Sequence, residues 1–166
     1  LPGDGFTLHA CPLRPRSRGR IGLHSADPMA PARIQANYLS EPYDLELLLE
    51  CLRLSDQILA APAFASYRGE RLFPAPGVED RQGLIEFIRA KAETIYHPVG
   101  TCRMGEDEGA VVDSALRVRG LEGLRVIDAS VMPRLIGGNT NAPTVMIAEK
   151  AADLIRGLAS DQAQAA

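Results

Sequence analysis

Glycine and proline limit what this 166-residue chain can become more than any apolar run does. Between Tyr96 and Pro143 glycines recur every few residues, apolar runs stay short and helix formers are few, which predicts loops and short extended pieces. Helices are thereby confined to the windows on either side. Pro42 and Asp44 open one: Asp44 is expected to accept bonds from the free amides of the first turn, while Leu45, Leu48, Leu49 and Leu52 share a face. This helix is predicted to end near Leu59 or Ala60, before Pro62. Glu79 and Asp80 open a second helix, with Leu84, Ile85 and Ile88 pointing inward. A third is predicted from about Pro143 to Leu158, burying a stripe of Ile147, Ala151, Leu154, Ile155 and Leu158. The polar, alanine-rich tail from Ser160 is expected to fray.

Ahead of the first helix, Gly5 to Cys11 and Arg20 to Ser25 alternate apolar positions and predict an antiparallel pair, with Arg33 to Leu39 a further strand. Leu124 to Ile127 is a compact apolar strand ending at Asp128. The expected fold class is α+β: an antiparallel sheet with flanking helices, then a loop, a strand and a terminal helix. The change of character at Tyr96 sets a boundary, dividing 1–95 from 96–166. Arg14, Arg16, Arg18 and Arg20 alternate along one stretch with no aromatic residues between them, and the net charge is only −3. A charged edge strand that resists further pairing explains them better than nucleic-acid binding.

At 46% hydrophobic and 23% charged residues the composition is that of a globular protein. No run approaches the roughly 18 apolar residues needed to cross a bilayer, and no basic-then-apolar leader opens the sequence, which starts at Leu1 without a methionine. Cys11, Cys51 and Cys102 are odd in number and widely spaced, which suggests neither a disulfide framework nor a zinc knuckle. A reducing, cytoplasmic home is expected, with a position at the periphery of the inner membrane left open. His9, Cys11, His97 and Cys102 match no recognised ligand spacing, so no metal site is expected.

Two features can carry chemistry. His97, beside Pro98 in a glycine-rich loop, is a candidate general base, because imidazole titrates near neutral pH. A histidine satisfied by the core accounts for the same residue, and does so more readily still for His9 and His24. The run from Gly137 to Pro143 delivers amide side chains to a helix N-terminus, where unpaired amides and the dipole favour negative charge. Alternatively Asn141 simply caps that helix, with Pro143 in its first turn.

Three segments occur in order: Tyr96-His97-Pro98-Val99-Gly100-Thr101-Cys102-Arg103-Met104-Gly105, Leu124-Arg125-Val126-Ile127-Asp128-Ala129-Ser130, and Gly137-Gly138-Asn139-Thr140-Asn141-Ala142-Pro143-Thr144. They resemble the C-terminal motifs of the glucose-methanol-choline (GMC) oxidoreductases, a flavoprotein family of alcohol, choline and sugar oxidases and dehydrogenases. The resemblance covers essentially the whole chain, loosely before Asp44 and tightly from Tyr96 to Ile155. It implies that FAD is the cofactor and that His97 accepts the proton of an alcohol hydroxyl while hydride moves to the flavin. Asn139 then faces His97 across the substrate, as a hydrogen-bond donor to its oxygen. Asn141 and the helix start at Pro143 contact the flavin ring, Asp128 and Ala129 the ribityl and diphosphate region, and Val99 lines the substrate cavity.

The family's Gly-x-Gly-x-x-Gly turn, which grips the nucleotide, has no counterpart here: Gly3 and Gly5 lead into an extended run. The resemblance therefore implies a C-terminal fragment. Residues 1–95 would belong to the substrate-binding domain and 96–166 would complete an FAD-binding domain whose N-terminal part is this chain's partner. A small primary alcohol is the implied substrate, and the His97 segment looks most like bacterial alcohol dehydrogenases that use an acceptor other than oxygen. A choline dehydrogenase is the alternative, and a non-catalytic binding or assembly module a third reading. The chain alone is expected to bind flavin weakly or not at all, to be inactive, and to self-associate through its exposed domain face.

Overall fold

The computed structural model describes residues 4–158, so the tail expected to fray from Ser160 lies outside the described residues. The chain is a small α+β structure with, among the described residues, a two-stranded antiparallel sheet and three α-helices. It divides into two compact units, Leu1–Ile95 and Tyr96–Ala166.

In the first unit, β1 (Arg20–Gly22) pairs antiparallel with β2 (Arg33–Gln35), with Ile21 opposite Ile34. The Arg20 guanidinium donates to Gln35 Oε1 at 2.6 Å across the same pair. The expected strand at Gly5 to Cys11 does not form, and the partner of β1 comes instead from the segment after it. Phe6 stacks on Phe64, with ring centroids 5.7 Å apart, so that run is held by an aromatic contact and not by a ladder. The arginine stretch is likewise not an edge strand, since only Arg20 belongs to β1. Arg16 lies over the Tyr43 ring at 3.9 Å, and Arg18 donates to the carbonyls of Pro15 and Ser17.

Helix α1 (Pro42–Ala60) has the length the leucine spacing predicts, with Pro42 at its first turn and Pro62 just beyond its end. Asp44 does not cap it. Its buried carboxylate accepts instead from the amides of Arg16 at 2.8 Å and Ser17 at 2.7 Å, which straps the preceding segment onto the helix start. A turn of 3₁₀ helix over Pro62–Phe64 follows. Helix α2 (Arg81–Lys91) starts as its acidic lead predicts: Asp80 Oδ1 accepts from the amides of Gln82 and Gly83, both at 3.0 Å. It packs on α1 and buries Ile88.

The second unit is built mostly of loops around a core of Val112, Leu116, Val131, Met132, Ile147 and Ala151. The expected strand at Leu124 to Ile127 is absent: Arg125 forms an isolated bridge with Arg117, and single bonds run from Val118 N to Leu124 O and from Val126 N to Leu116 O. Helix α3 (Asn141–Arg156) begins two residues earlier than the proline suggests and ends at Gly157, whose φ of 73° is the left-handed stop that glycine adopts without strain. Of its predicted stripe, Ile147 and Ala151 are buried and Leu154 partly so, whereas Ile155 and Leu158 stay exposed. No helix among the described residues is long and apolar enough to cross a membrane.

Candidate active site

The loop that carries His97 is bent by two residues of left-handed backbone, Tyr96 at φ 64° and Gly100 at φ 88°. Such a φ is uncommon for a tyrosine and costs on the order of 1–2 kcal/mol, so the rest of the unit has to hold it in place. At Gly100 the same left-handed backbone suits glycine, which has no Cβ to strain it. After this bend the chain is stitched to the segment around Asp128. Cys102 N donates to Ser130 O at 3.0 Å and Met104 N to Val131 O at 2.8 Å.

Asp128 precedes a turn of 3₁₀ helix, Ala129–Val131, and its Oδ1 accepts from the Ser130 amide at 2.7 Å. This bond accounts for the Asp-Ala-Ser order locally, since a short acidic side chain closes the turn over its own following amide. Val131 is fully buried, which anchors the turn in the core and leaves the Asp128 side chain exposed.

The third segment meets the first at one bond. His97 Nδ1 lies 2.9 Å from Thr140 Oγ1, spanning 43 residues of sequence. Thr140 is buried at 8% exposure and is flanked by the exposed Asn139 and Asn141. The imidazole is thus tied to the residue between the two asparagines. Asn141 is not the cap of α3, as one of the two readings had it. It is the first helical residue; Thr140 holds the cap position and makes no side-chain cap bond. The first amides of α3 therefore have no capping side chain from Thr140, and Pro143 has no amide to satisfy.

Each residue singled out from the sequence lies in this second unit. His97 is partly buried, Asn139, Asn141 and Asp128 are exposed, and Ala129 and Pro143 are intermediate. Val99 packs against the core cluster. Thr140 was not singled out. The available signal was a threonine set directly between two asparagines at a helix start, and ordinary capping would have explained it away.

The surrounding loops are held by charge. The Arg103 guanidinium holds the exposed Asp107 carboxyl well below the usual range, helped by the Gly109 amide. Asp113 is also lowered, because the Arg117 amide, with its guanidinium and the Ala115 amide, together outweigh the upward push of burial. An open concavity of about 730 Å³ runs along 117–125 with Asp113 and Ile155. Its arginines are already engaged, Arg117 with Asp113, Arg119 with the Asp107 carbonyl and Arg125 with the Ala115 carbonyl.

The family model described as GMC oxidoreductase matches residues 15–148. Alcohol dehydrogenase (acceptor) of Pseudomonas putida is 52% identical over 153 residues, covering 92% of this chain and 28% of that protein. The oxygen-dependent choline dehydrogenase of Chromohalobacter salexigens is 50% identical over 157 residues, covering 95% of this chain and 28% of the relative. Among solved structures, an FAD-dependent oxidoreductase from Chaetomium thermophilum superposes with a TM-score of 0.80 at 27% identity, over 87% of this chain and 25% of that one. The chain thus spans little more than a quarter of the length of these proteins. With the family model covering most of the sequence and three segments drawn into one unit, this chain belongs to the GMC oxidoreductase family.

Proposed function

We propose that this chain supplies the proton-handling side of an FAD-dependent enzyme that oxidises a primary alcohol to an aldehyde. The observation that carries the reading is the 2.9 Å contact between His97 and Thr140, which ties an imidazole to the residue between the exposed Asn139 and Asn141. Family membership and the 52% identity to an alcohol dehydrogenase support it.

The residues present fit FAD. The start of α3 lacks a threonine cap, and a Cβ placed at Gly138 in the loop before it would meet nothing within 4 Å. A helix N-terminus flanked by amide side chains suits an electron-rich ring edge, and an exposed carboxylate at Asp128 suits sugar-like hydroxyl groups. Asn141, Pro143, Asp128 and Ala129 are accordingly the residues that would hold the cofactor, with residues 96–166 completing its domain and residues 1–95 serving the substrate side. When bound, FAD supplies the acceptor for the hydride. His97 accepts the hydroxyl proton at Nε2, the ring nitrogen that Thr140 does not occupy. Asn139 donates a hydrogen bond to the same oxygen as negative charge develops on it. Val99, two residues after His97, borders the substrate on the core side.

The test uses the flavin-loaded enzyme in which this chain works with an N-terminal FAD-binding domain. Asn139→Ala is expected to lower kcat by about 10²–10³, the usual loss when one donor to a developing oxyanion is removed. A wild-type kcat in that variant contradicts its assigned role. Choline oxidation is the second reading, favoured by the 50% identity to a choline dehydrogenase. Comparing kcat/KM for choline and for simple primary alcohols decides between them. FAD titrated into the 166-residue chain alone is expected to bind weakly, and tight stoichiometric binding overturns the need for a partner domain.

A further inference from the structure

We propose that Thr140 is a positioning residue that fixes the tautomer of His97, its Oγ1 accepting the Nδ1–H of the imidazole and leaving Nε2 with a free lone pair. The inference rests on the reading of His97 as the proton acceptor, and it adds the device that makes that role available.

Thr140 stands where a threonine ordinarily uses its oxygen to cap the helix. Here it does not cap. Its backbone is already helical, at φ −83° and ψ −8°, and its side chain makes no cap bond. Its carbonyl takes both the amide of Thr144 at 3.1 Å and the Thr144 hydroxyl at 2.6 Å. The remaining oxygen, Oγ1, lies 2.9 Å from His97 Nδ1. A buried threonine has thus been withdrawn from capping and given to an imidazole 43 residues away.

The nitrogen of a neutral imidazole that carries the proton is set by the bond its other nitrogen makes. A hydroxyl can give or accept a bond, so distance alone leaves two tautomers. Chemistry selects one. A ring that takes a proton at Nε2 must begin with its hydrogen on Nδ1, and Thr140 Oγ1 is then the acceptor. As the alcohol O–H bond breaks, its electron pair stays on oxygen and the new bond is Nε2–H. The Nδ1–H bond to Thr140 persists through the step, so the imidazolium needs no new partner and the ring does not turn. Without that acceptor the ring reverts to the Nε2–H form that imidazoles ordinarily favour in water, which can donate but not accept at Nε2.

The test reads protons directly on the chain. His9 and His24, both exposed, are replaced by glutamine, so that the only histidine signals come from His97. Long-range ¹H–¹⁵N correlation is recorded at alkaline pH, where an ordinary imidazole is neutral. With Thr140 present, Nδ1 is expected to give a pyrrole-type shift and Nε2 a pyridine-type shift. Thr140→Ser is expected to keep this pattern and Thr140→Val to reverse it. A pyrrole-type Nε2 with Thr140 in place overturns the proposal, as does an unchanged pattern in Thr140→Val. If the valine variant fails to fold, the Thr140 and Thr140→Ser spectra still decide the tautomer. The catalytic role of His97 is judged separately, by kinetics of the flavin-loaded enzyme, so the failure of one idea is distinguishable from the failure of the other.

Discussion

Asp44 shows how a residue can be read correctly as important and wrongly as to its work. Its place in the first turn of α1 suggests a local acceptor, yet its partners are amides 28 and 27 residues earlier. Helical spacing and capping preferences are local and cannot see such a pairing. Burial pushes the Asp44 carboxyl up, but the Arg16 amide, the Ser17 hydroxyl and amide, and the charge of Arg18 together hold it below its ordinary value. A carboxyl lowered by folding contributes stability above its unfolded pKa of about 3.9, and that contribution is lost as pH falls through the folded value. Asp44→Asn is therefore expected to lower the unfolding free energy by about 2 kcal/mol at pH 7, the scale of hydrogen bonds to a charged group. Urea melts of both proteins should converge as the pH falls through the folded value. A constant gap across that range would contradict the assignment. Thr140 was illegible for a related reason: the bond that matters reaches back 43 residues to His97.

Helices were legible and strands only in part: β1 and β2 lie inside the extended runs read at Arg20 to Ser25 and Arg33 to Leu39, but that they pair with each other was not. The leucines of α1 repeat at helical spacing over many turns, and Pro42 and Pro62 mark its ends. At α2, Asp80 announces its own cap. Asp80→Ala is expected to cost about 1 kcal/mol, seen as a lower midpoint in thermal unfolding followed by circular dichroism. An unchanged midpoint would mean that the two amides at Gln82 and Gly83 find equal partners in water. Short extended runs give no comparable signal, because alternation over five or six residues does not name a partner. Gly5 to Cys11 has the pattern but spends Phe6 on Phe64, and the three-residue β1 finds β2 instead. Leu124 to Ile127 meets neighbours that supply one bridge and two isolated bonds, too few for a strand.

At the scale of the molecule, the second unit holds three sequence-distant segments in one arrangement. Backbone bonds from Cys102 and Met104 join the first to the turn after Asp128, and the His97–Thr140 contact joins the first to the third. The motifs were legible as residues in order, but the core that fastens them was not, since Val112 and Val131 lie in short runs without periodicity. Val131 is fully buried in that core, so Val131→Ala is expected to lower unfolding free energy by about 2 kcal/mol. It should also weaken hydrogen-exchange protection at the Met104 amide, which the Val131 carbonyl accepts. Protection unchanged there would detach the core from the loop. The central claim, that His97 takes the alcohol proton, is tested most directly by anaerobic rapid mixing of the flavin-loaded enzyme with a primary alcohol, following flavin bleaching. In His97→Gln the limiting reduction rate is predicted to fall by about 10²–10⁴, and a rate equal to that of the unsubstituted enzyme would contradict the claim.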